Sequence, residues 1–165
     1  MVSLNLGQIL EVHAKNYPRK LAVKDWYGKA LTYPELESRT NRLANALLNM
    51  GLRKGDRCAV MLYNCTEFIE IICAFAKIGV VGVPVSWRFV EKEVEYVADN
   101  CDAKAMIAYE EFIDCVNSVR PNLKKIDDKN YVIIGGKKSK GYLNYEEVIA
   151  NSPDTKPSVK VEPKD

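Results

Sequence analysis

Residues 57–85 contain two apolar runs on either side of a helix-length segment, and this arrangement constrains the fold more than any other part of the sequence. The first run, residues 57–63, is apolar throughout its middle, as expected for a strand that is covered on both faces. A helix is predicted from about Thr66 to Ile78, followed by a run rich in β-branched residues at 80–85. A strand, a helix and a strand in this order form a βαβ unit, whose two strands are parallel.

The same pattern repeats towards the carboxyl end and extends the sheet. Val94 and Ala98 mark a further helix, and residues 104–108 return as a strand. A weaker helix at 110–119 and a weaker strand at Tyr131–Ile134 follow. Three parallel strands joined by two crossovers give a doubly wound core. The sequence therefore predicts an α/β fold in which a parallel sheet, built from βαβ units, is flanked by helices.

Ahead of the first parallel strand, the sequence predicts a helix at 3–16, a hairpin at 21–33 and a second helix that ends at Gly51. The second helix begins at a capping box, because Thr32 and Glu35 are spaced so that each side chain accepts a hydrogen bond from the other residue's backbone N–H. Four polar side chains of this helix are expected to face solvent: Glu37, Arg39, Asn41 and Asn45.

The charge balance excludes some classes of function. Lys and Arg number 24 and Asp and Glu 22, giving a net charge of +2, so the basic excess of a nucleic-acid binder is missing and no nucleic-acid partner is expected. The first residues lack the basic start and unbroken apolar run of a signal peptide, and the apolar stretches are too short to span a bilayer. We expect a cytoplasmic protein without a transmembrane segment.

The cysteines and the single histidine do not suggest a reactive centre. The five cysteines are an odd set without a Cys-x-x-Cys pair, which favours buried free thiols in a reducing cytosol. His13 is the only histidine, so a His-based metal site or a Ser/His/Asp triad is hard to assemble. We expect His13 on a helix surface and assign no catalytic residue and no metal ligand. The cysteines are Cys58, Cys65, Cys73, Cys101 and Cys115.

Two glycine pairs have spacings that suggest phosphate-binding loops, but neither pair matches a known phosphate-binding motif. Gly136 and Gly141 have Walker spacing, but Tyr and Leu follow where Lys and Ser or Thr are needed. This stretch is interpreted as a solvated loop. Gly79 and Gly82 miss the dinucleotide fingerprint, so we expect no Rossmann-type cofactor site.

A polar, aromatic and cationic segment, residues 86–89, follows the second strand of the βαβ unit. Ligands of open α/β sheets bind at the carboxyl ends of the strands. An exposed Arg88 there would suit a phosphate, because the guanidinium is permanently charged and can donate two hydrogen bonds at once. The alternative is that Arg88 forms an ion pair with Glu91 or Glu93 while Trp87 packs in the core. The residues alone leave both interpretations open.

Four stretches in register from about Leu6 to Tyr109, and more loosely to the end, resemble the AMP-forming acyl-CoA synthetases. They are residues 31–36 (Leu-Thr-Tyr-Pro-Glu-Leu) with Arg39 and residues 41–44 (Asn-Arg-Leu-Ala), residues 54–57 (Lys-Gly-Asp-Arg), residues 64–68 (Asn-Cys-Thr-Glu-Phe) and residues 76–84 (Ala-Lys-Ile-Gly-Val-Val-Gly-Val-Pro). The chain is similar to the N-terminal part of such enzymes, in particular of long- and medium-chain fatty-acid–CoA ligases.

This resemblance implies a parent enzyme that makes an acyl adenylate from ATP and a carboxylic acid and then transfers the acyl group to coenzyme A. ATP, Mg and coenzyme A are the cofactors implied for the parent, and none is assigned to this chain. The family's Ser/Thr/Gly-rich phosphate loop is expected after residue 165, so the fragment itself is expected to be inactive. Arg88 matches the arginine of the family's Asn-x-Arg-Leu stretch, which in some members contacts a nucleotide phosphate of coenzyme A. Here Ser86 replaces the Asn and Phe89 the Leu.

The resemblance also sets the expected organisation and partners. Residues 1–150 are predicted to form a partial N-terminal subdomain and residues 151–165 a linker or tail leading to the phosphate loop. The expected partners are the remainder of the parent ligase and, because a cut domain exposes apolar surface, a second copy of the fragment. One alternative is a free-standing, non-catalytic α/β binding or regulatory module derived from the same family. Another is an unrelated small α/β nucleotide-binding enzyme, which the missing phosphate loop disfavours.

Overall fold

The computed structural model describes residues 5–136 and 140–162. Its helices are α1 (Leu6–Asn16), α2 (Tyr33–Asn49), α3 (Thr66–Ile78), α4 (Glu91–Asn100), α5 (Ile113–Val119) and α6 (Tyr145–Ala150). Its strands are β1 (Leu21–Lys24), β2 (Ala30–Thr32), β3 (Arg57–Met61), β4 (Val81–Pro84), β5 (Ala103–Tyr109), β6 (Tyr131–Ile134) and β7 (Leu143–Asn144). Single 3₁₀ turns occur at Glu110–Phe112 and Asp128–Asn130.

The strands β3 to β7 form one sheet in the order β4-β3-β5-β6-β7, and every neighbouring pair in it is parallel. β1 and β2 form a separate antiparallel hairpin. α3 crosses over from β3 to β4 and has the predicted bounds, Thr66–Ile78. The predicted α/β fold, a parallel sheet with flanking helices, is confirmed.

Two apolar cores lie on opposite faces of this sheet because successive side chains of a strand point to opposite sides. In β5, Ala105 and Ile107 pack into the core beneath α2, α3 and α6, whereas Met106 and Ala108 pack into the core beneath α4 and α5. β4 lies at the sheet edge, and Val81 is 49% exposed.

The start of α2 is as predicted, but its polar face is not. Thr32 caps the helix in a capping box with Glu35. The prediction that Asn41 faces solvent is wrong, since Asn41 is buried and its amide donates to the backbone oxygen of Asp154 at 3.1 Å. The expectation for Arg39 is wrong as well, because its side chain is mostly covered and bonds to another helix.

The last described segment, residues 151–162, covers the polar face of α2 and reaches α1. Arg42 Nη1 donates to the Ser152 oxygen at 2.7 Å, and Asn5 Nδ2 donates to the Val161 oxygen at 3.0 Å. Lys156 pairs with Glu11 of α1 at 2.6 Å. The contact with Asp154 explains why Asn41, which the helical pattern places outside, is buried. The division at residue 150 into a subdomain and a tail remains a prediction.

The side chains expected to be inert are mostly as predicted. All five cysteines are free, and Cys58, Cys65 and Cys73 are buried, whereas the other two are half-buried. His13 differs from the prediction of a plain surface residue. It is half-buried against Tyr17 and Tyr33, with ring centroids 5.5 and 5.2 Å away.

Candidate functional site

The carboxyl ends of β3, β4 and β5 lie side by side, because these strands are parallel neighbours. We call this border of the sheet the carboxyl edge. Tyr63 follows β3, Trp87 and Arg88 follow β4, and Tyr109 ends β5. The fold thus brings together side chains that are separated by some twenty residues at each step along the sequence.

Three aromatic rings pack around Tyr63 at the carboxyl edge. The Tyr63 centroid lies 5.3 Å from that of Trp87, 5.8 Å from that of Tyr109 and 5.1 Å from that of Phe112. We call Tyr63, Trp87, Tyr109 and Phe112 the aromatic cluster. These spacings are those of favourable edge-to-face and tilted ring pairs, so the cluster fixes the position of Trp87 at the rim.

Arg88 is held over the outer side of this cluster by a tight turn. The Ser86 hydroxyl accepts a hydrogen bond from the Arg88 backbone N–H at 3.3 Å, and the Ser86 carbonyl accepts one from Phe89 at 3.0 Å. The guanidinium carbon lies 4.8 Å from the centroid of a Trp87 ring, in the range of a cation–π contact. Arg88 is itself exposed.

The ion-pair interpretation of Arg88 does not agree with this geometry. The Glu93 carboxylate accepts a hydrogen bond from the Val90 backbone N–H at 3.0 Å, closing the first turn of α4. Trp87 is 45% exposed and does not lie in the core. Among the described residues, Arg88 forms no ion pair, so its guanidinium donors face solvent.

The two tyrosine hydroxyls and the cysteine thiol near the carboxyl edge are neutral at pH 7. Burial and a hydrogen bond with Glu111 raise the pKa of Tyr63, and burial raises the pKa of Tyr109. Burial also raises the pKa of the Cys65 thiol, so this group stays protonated. A protonated thiol is a weaker nucleophile than a thiolate. An exposed arginine on an aromatic support can bind an anion, but these neighbours offer no activated nucleophile or base.

The described residues contain neither a cluster that could hold a metal ion nor a helix that could span a membrane. Within residues 5–136 and 140–162, no three His, Cys, Asp or Glu side chains are grouped so as to hold a metal ion. No helix in the same ranges is long and apolar enough to cross a membrane. The loop between Gly136 and Gly141, interpreted from sequence as solvated, falls largely on residues 137–139, which lie outside the described residues.

A model of the family described as AMP-binding enzyme matches residues 10–165. The chain belongs to this family. The resemblance to acyl-CoA synthetases is thereby confirmed, and the curated relatives of this AMP-binding enzyme chain agree with it. A 3-oxocholest-4-en-26-oate–CoA ligase of Rhodococcus rhodochrous is 30% identical over 156 residues, which are 92% of this chain and 28% of the relative. A medium/long-chain-fatty-acid–CoA/3-oxocholest-4-en-26-oate–CoA ligase of Mycobacterium tuberculosis is 29% identical over 162 residues, again 28% of its length.

Solved structures of the family share the fold. The anthranilate CoA ligase AuaEII, in complex with anthranoyl-AMP, superposes with a TM-score of 0.86 at 25% identity over 94% of this chain and 29% of its own. The N-terminal domain of FACL13 from Mycobacterium tuberculosis gives 0.84 at 23% identity, over 96% of this chain and 38% of that domain. The chain therefore spans about 28% of the length of the curated relatives it matches.

A buried ionic network away from the carboxyl edge was missed by the sequence analysis. The Glu70 side chain is fully buried in α3, and Arg39 of α2 donates to its two oxygens at 2.8 and 3.0 Å. The Tyr145 hydroxyl of α6 donates to the same carboxylate at 2.8 Å. Lys29 of the hairpin pairs with Glu67 at 2.6 Å. We call these five residues the Glu70 network.

The Glu70 network joins the hairpin, α2, α3 and α6, and its members satisfy one another. Such a buried pair orders packing elements, and its groups are not free to bind a ligand. The sequence signal was a pair of glutamates one turn apart on a largely apolar helix. Their partners lie in distant parts of the sequence, which no local pattern could reveal.

Proposed function

We propose that this chain is a piece of a fatty-acid or related carboxylic-acid–CoA ligase. That enzyme would form acyl-AMP from ATP and the acid, with Mg, and then acyl-CoA from coenzyme A. The observation that carries the proposal is the match to CoA ligases over nearly the whole chain but only 28% of their length. An immunoblot of the source cells tests it. A protein several hundred residues longer supports a ligase piece, and a protein of 18.6 kDa contradicts it.

The 165-residue chain alone is proposed to be inactive. Adenylate formation needs groups that bind the triphosphate and stabilise charge in the transition state, and the carboxyl edge supplies one exposed arginine. The assay is ATP–pyrophosphate exchange by the purified chain with fatty and aryl acids. We expect no exchange above the protein-free rate. Exchange that increases with chain concentration and survives further purification would refute the proposal.

Arg88 is proposed to contact a nucleotide phosphate of coenzyme A. Its guanidinium is exposed, is supported by Trp87, and is not engaged by a carboxylate among the described residues. A charged hydrogen bond to phosphate is worth about 1.5–3 kcal/mol, so Arg88→Ala is expected to weaken coenzyme A binding by roughly 10- to 100-fold.

Calorimetric titration of the chain with coenzyme A and with dephospho-coenzyme A measures this contact. Arg19→Ala removes another exposed positive charge, outside the carboxyl edge, and is the matched control. Loss of affinity with Arg88→Ala and not with Arg19→Ala supports the contact. Equal affinities of the wild-type chain and Arg88→Ala for both ligands would refute it.

Two further expectations belong to the same proposal. The free state of all five cysteines supports a reducing, cytoplasmic location, which fractionation of the source cells measures. The isolated chain is proposed to self-associate, because several large apolar side chains along α1, α3 and β4 are exposed.

A further inference from the structure

Two large aromatic side chains stand uncovered next to each other at the tip of the β1–β2 hairpin. Trp26 is 95% exposed and Tyr27 79%. We call these two residues the aromatic tip. The turn that carries them is closed by Asp25, whose backbone N–H donates to the Lys29 carbonyl at 2.9 Å and whose carboxylate accepts from the Lys29 backbone N–H at 2.9 Å. The aromatic tip is therefore presented by a hydrogen-bonded turn.

The base of the hairpin is fixed to the helices behind it. Val23 of β1 packs against a small apolar core that includes Leu36 of α2. Lys29 pairs with Glu67 of α3 at 2.6 Å. Because the support of the aromatic tip is already ordered, a partner that covers the tip pays little of the ordering cost that opposes binding.

The hairpin segment, residues 17–29, separates its charges by sign. It holds four Lys or Arg and one Asp, so its formal charge of +3 exceeds the +2 of the whole chain. The carboxylate of Asp25 is half-buried and accepts a hydrogen bond from a hydroxyl of α3 at 3.4 Å. Arg19, Lys20 and Lys24 are exposed, and none of them forms an ion pair with another described residue. The segment thus presents cations and aromatic rings to solvent, with its one acid turned inward.

We propose that this hairpin docks on an anionic phospholipid surface, with the aromatic tip inserted at headgroup level. Tryptophan and tyrosine prefer this level of a bilayer, because their rings are apolar and their N–H or O–H groups stay hydrated. The exposed cations of the segment complement the negative potential of such a surface. A protein partner fits less well, because lysine is depleted in protein interfaces. The inference does not depend on the ligase assignment.

Sedimentation of the purified chain with vesicles measures the docking. Vesicles of phosphatidylglycerol and phosphatidylcholine in equal parts are compared with vesicles of phosphatidylcholine alone. Each cation near an anionic surface strengthens binding by about fivefold, so three cations predict a preference of about a hundredfold for the anionic vesicles. Lys24→Gln should lose about fivefold in affinity. Lys92→Gln is the matched control, since Lys92 is an exposed lysine of α4, which covers the other face of the sheet, and it should bind like the wild-type chain.

Insertion of the aromatic tip is measured separately, by quenching of tryptophan emission with anionic vesicles whose acyl chains carry bromine. We expect quenching in the wild-type chain and its loss in Trp26→Ala, in which Trp87 is the remaining tryptophan. Trp26→Ala should also weaken binding to anionic vesicles by at least about tenfold. Tyr96→Ala is the matched control, since Tyr96 is a 68% exposed aromatic side chain on α4, and it should bind and be quenched like the wild-type chain.

An equal affinity of the wild-type chain for the two kinds of vesicle, or no binding to either, overturns the proposal. Vesicle binding without quenching by bromine does so as well, and so does a loss with Tyr96→Ala as large as that with Trp26→Ala. Equal binding to polyuridylate would show a general affinity for polyanions and would also overturn it. A sample without lipid at the same protein concentration separates vesicle binding from self-association. Thermal unfolding checks the fold of each variant, and the comparison of vesicles with the wild-type chain needs no variant.

Discussion

Replacement of Arg39 by methionine is expected to be strongly destabilising, because it leaves a charge in the core. Arg39 supplies two hydrogen bonds to Glu70, whose side chain is fully buried. Removing one partner of a buried pair typically costs about 3–5 kcal/mol, mainly because the other charge is left uncompensated. For a domain of this size, that loss lowers the midpoint of thermal unfolding by on the order of 10 °C.

The control lies on the same helix. Arg42 contacts the Ser152 carbonyl and the carboxylate of Asp154, which is 57% exposed, so Arg42→Met should cost about 1 kcal/mol or less. Both variants lose a guanidinium and keep an unbranched side chain of good helix propensity. Arg39 also donates two hydrogen bonds to Glu146, but that carboxylate is 55% exposed, so the difference between the variants reports mainly on the burial of Glu70.

Equilibrium urea unfolding followed by circular dichroism measures both variants at one protein concentration, because self-association would otherwise shift the midpoint. The double variant Arg39→Met, Glu70→Gln should recover part of the loss, since a neutral amide is less costly to bury than a carboxylate. A cost for Arg39→Met no larger than that for Arg42→Met would refute the reasoning, and so would a double variant less stable than the single one.

Two other substitutions test local features. Gly79→Ala should cost about 1 kcal/mol or more in urea unfolding, because Gly79 has a φ of 71° and an added Cβ would lie 2.7 Å from Cγ of Lys54; an unchanged midpoint would contradict this. Hydrogen bonds from Lys15 and Lys156 lower the pKa of Glu11 from 4.5 to about 2, so stability due to this carboxylate is complete above pH 4.5 and lost as the pH falls through about 2. The ammonium groups are largely exposed, so Glu11→Gln should cost less than about 1 kcal/mol at pH 7 and only a small part of that near pH 2, as urea titrations at the two pH values would measure.

The sequence predicted the fold because its decisive signals are local. The capping box at Thr32 and Glu35 and the left-handed glycine after Ile78 each depend on neighbours within one turn. The parallel strands follow from the handedness of a short crossover and need no distant information. By contrast, β7 and α6 were not predicted, since two strand residues and six helical ones carry too little periodicity.

The sequence predicted the position of Arg88 after a strand of the sheet, but not the aromatic cluster beside it. That Arg88 follows a parallel strand is visible in the sequence, and so is the likeness of the stretch around it to a family motif. The packing of Tyr63 against Trp87, Tyr109 and Phe112 depends on β3 lying between β4 and β5, which the order along the chain does not specify. The burial of Asn41 likewise depends on a segment more than a hundred residues away.

The position of Arg88 limits how strongly it can bind a phosphate in this chain. Arg88 lies four residues beyond the carboxyl end of β4, and its side chain is exposed. An arginine in open solvent attracts a phosphate only weakly, since water screens charge about twenty times more effectively than a dry interior does. The proposed contact between Arg88 and coenzyme A is therefore expected to support binding of an anion rather than catalysis.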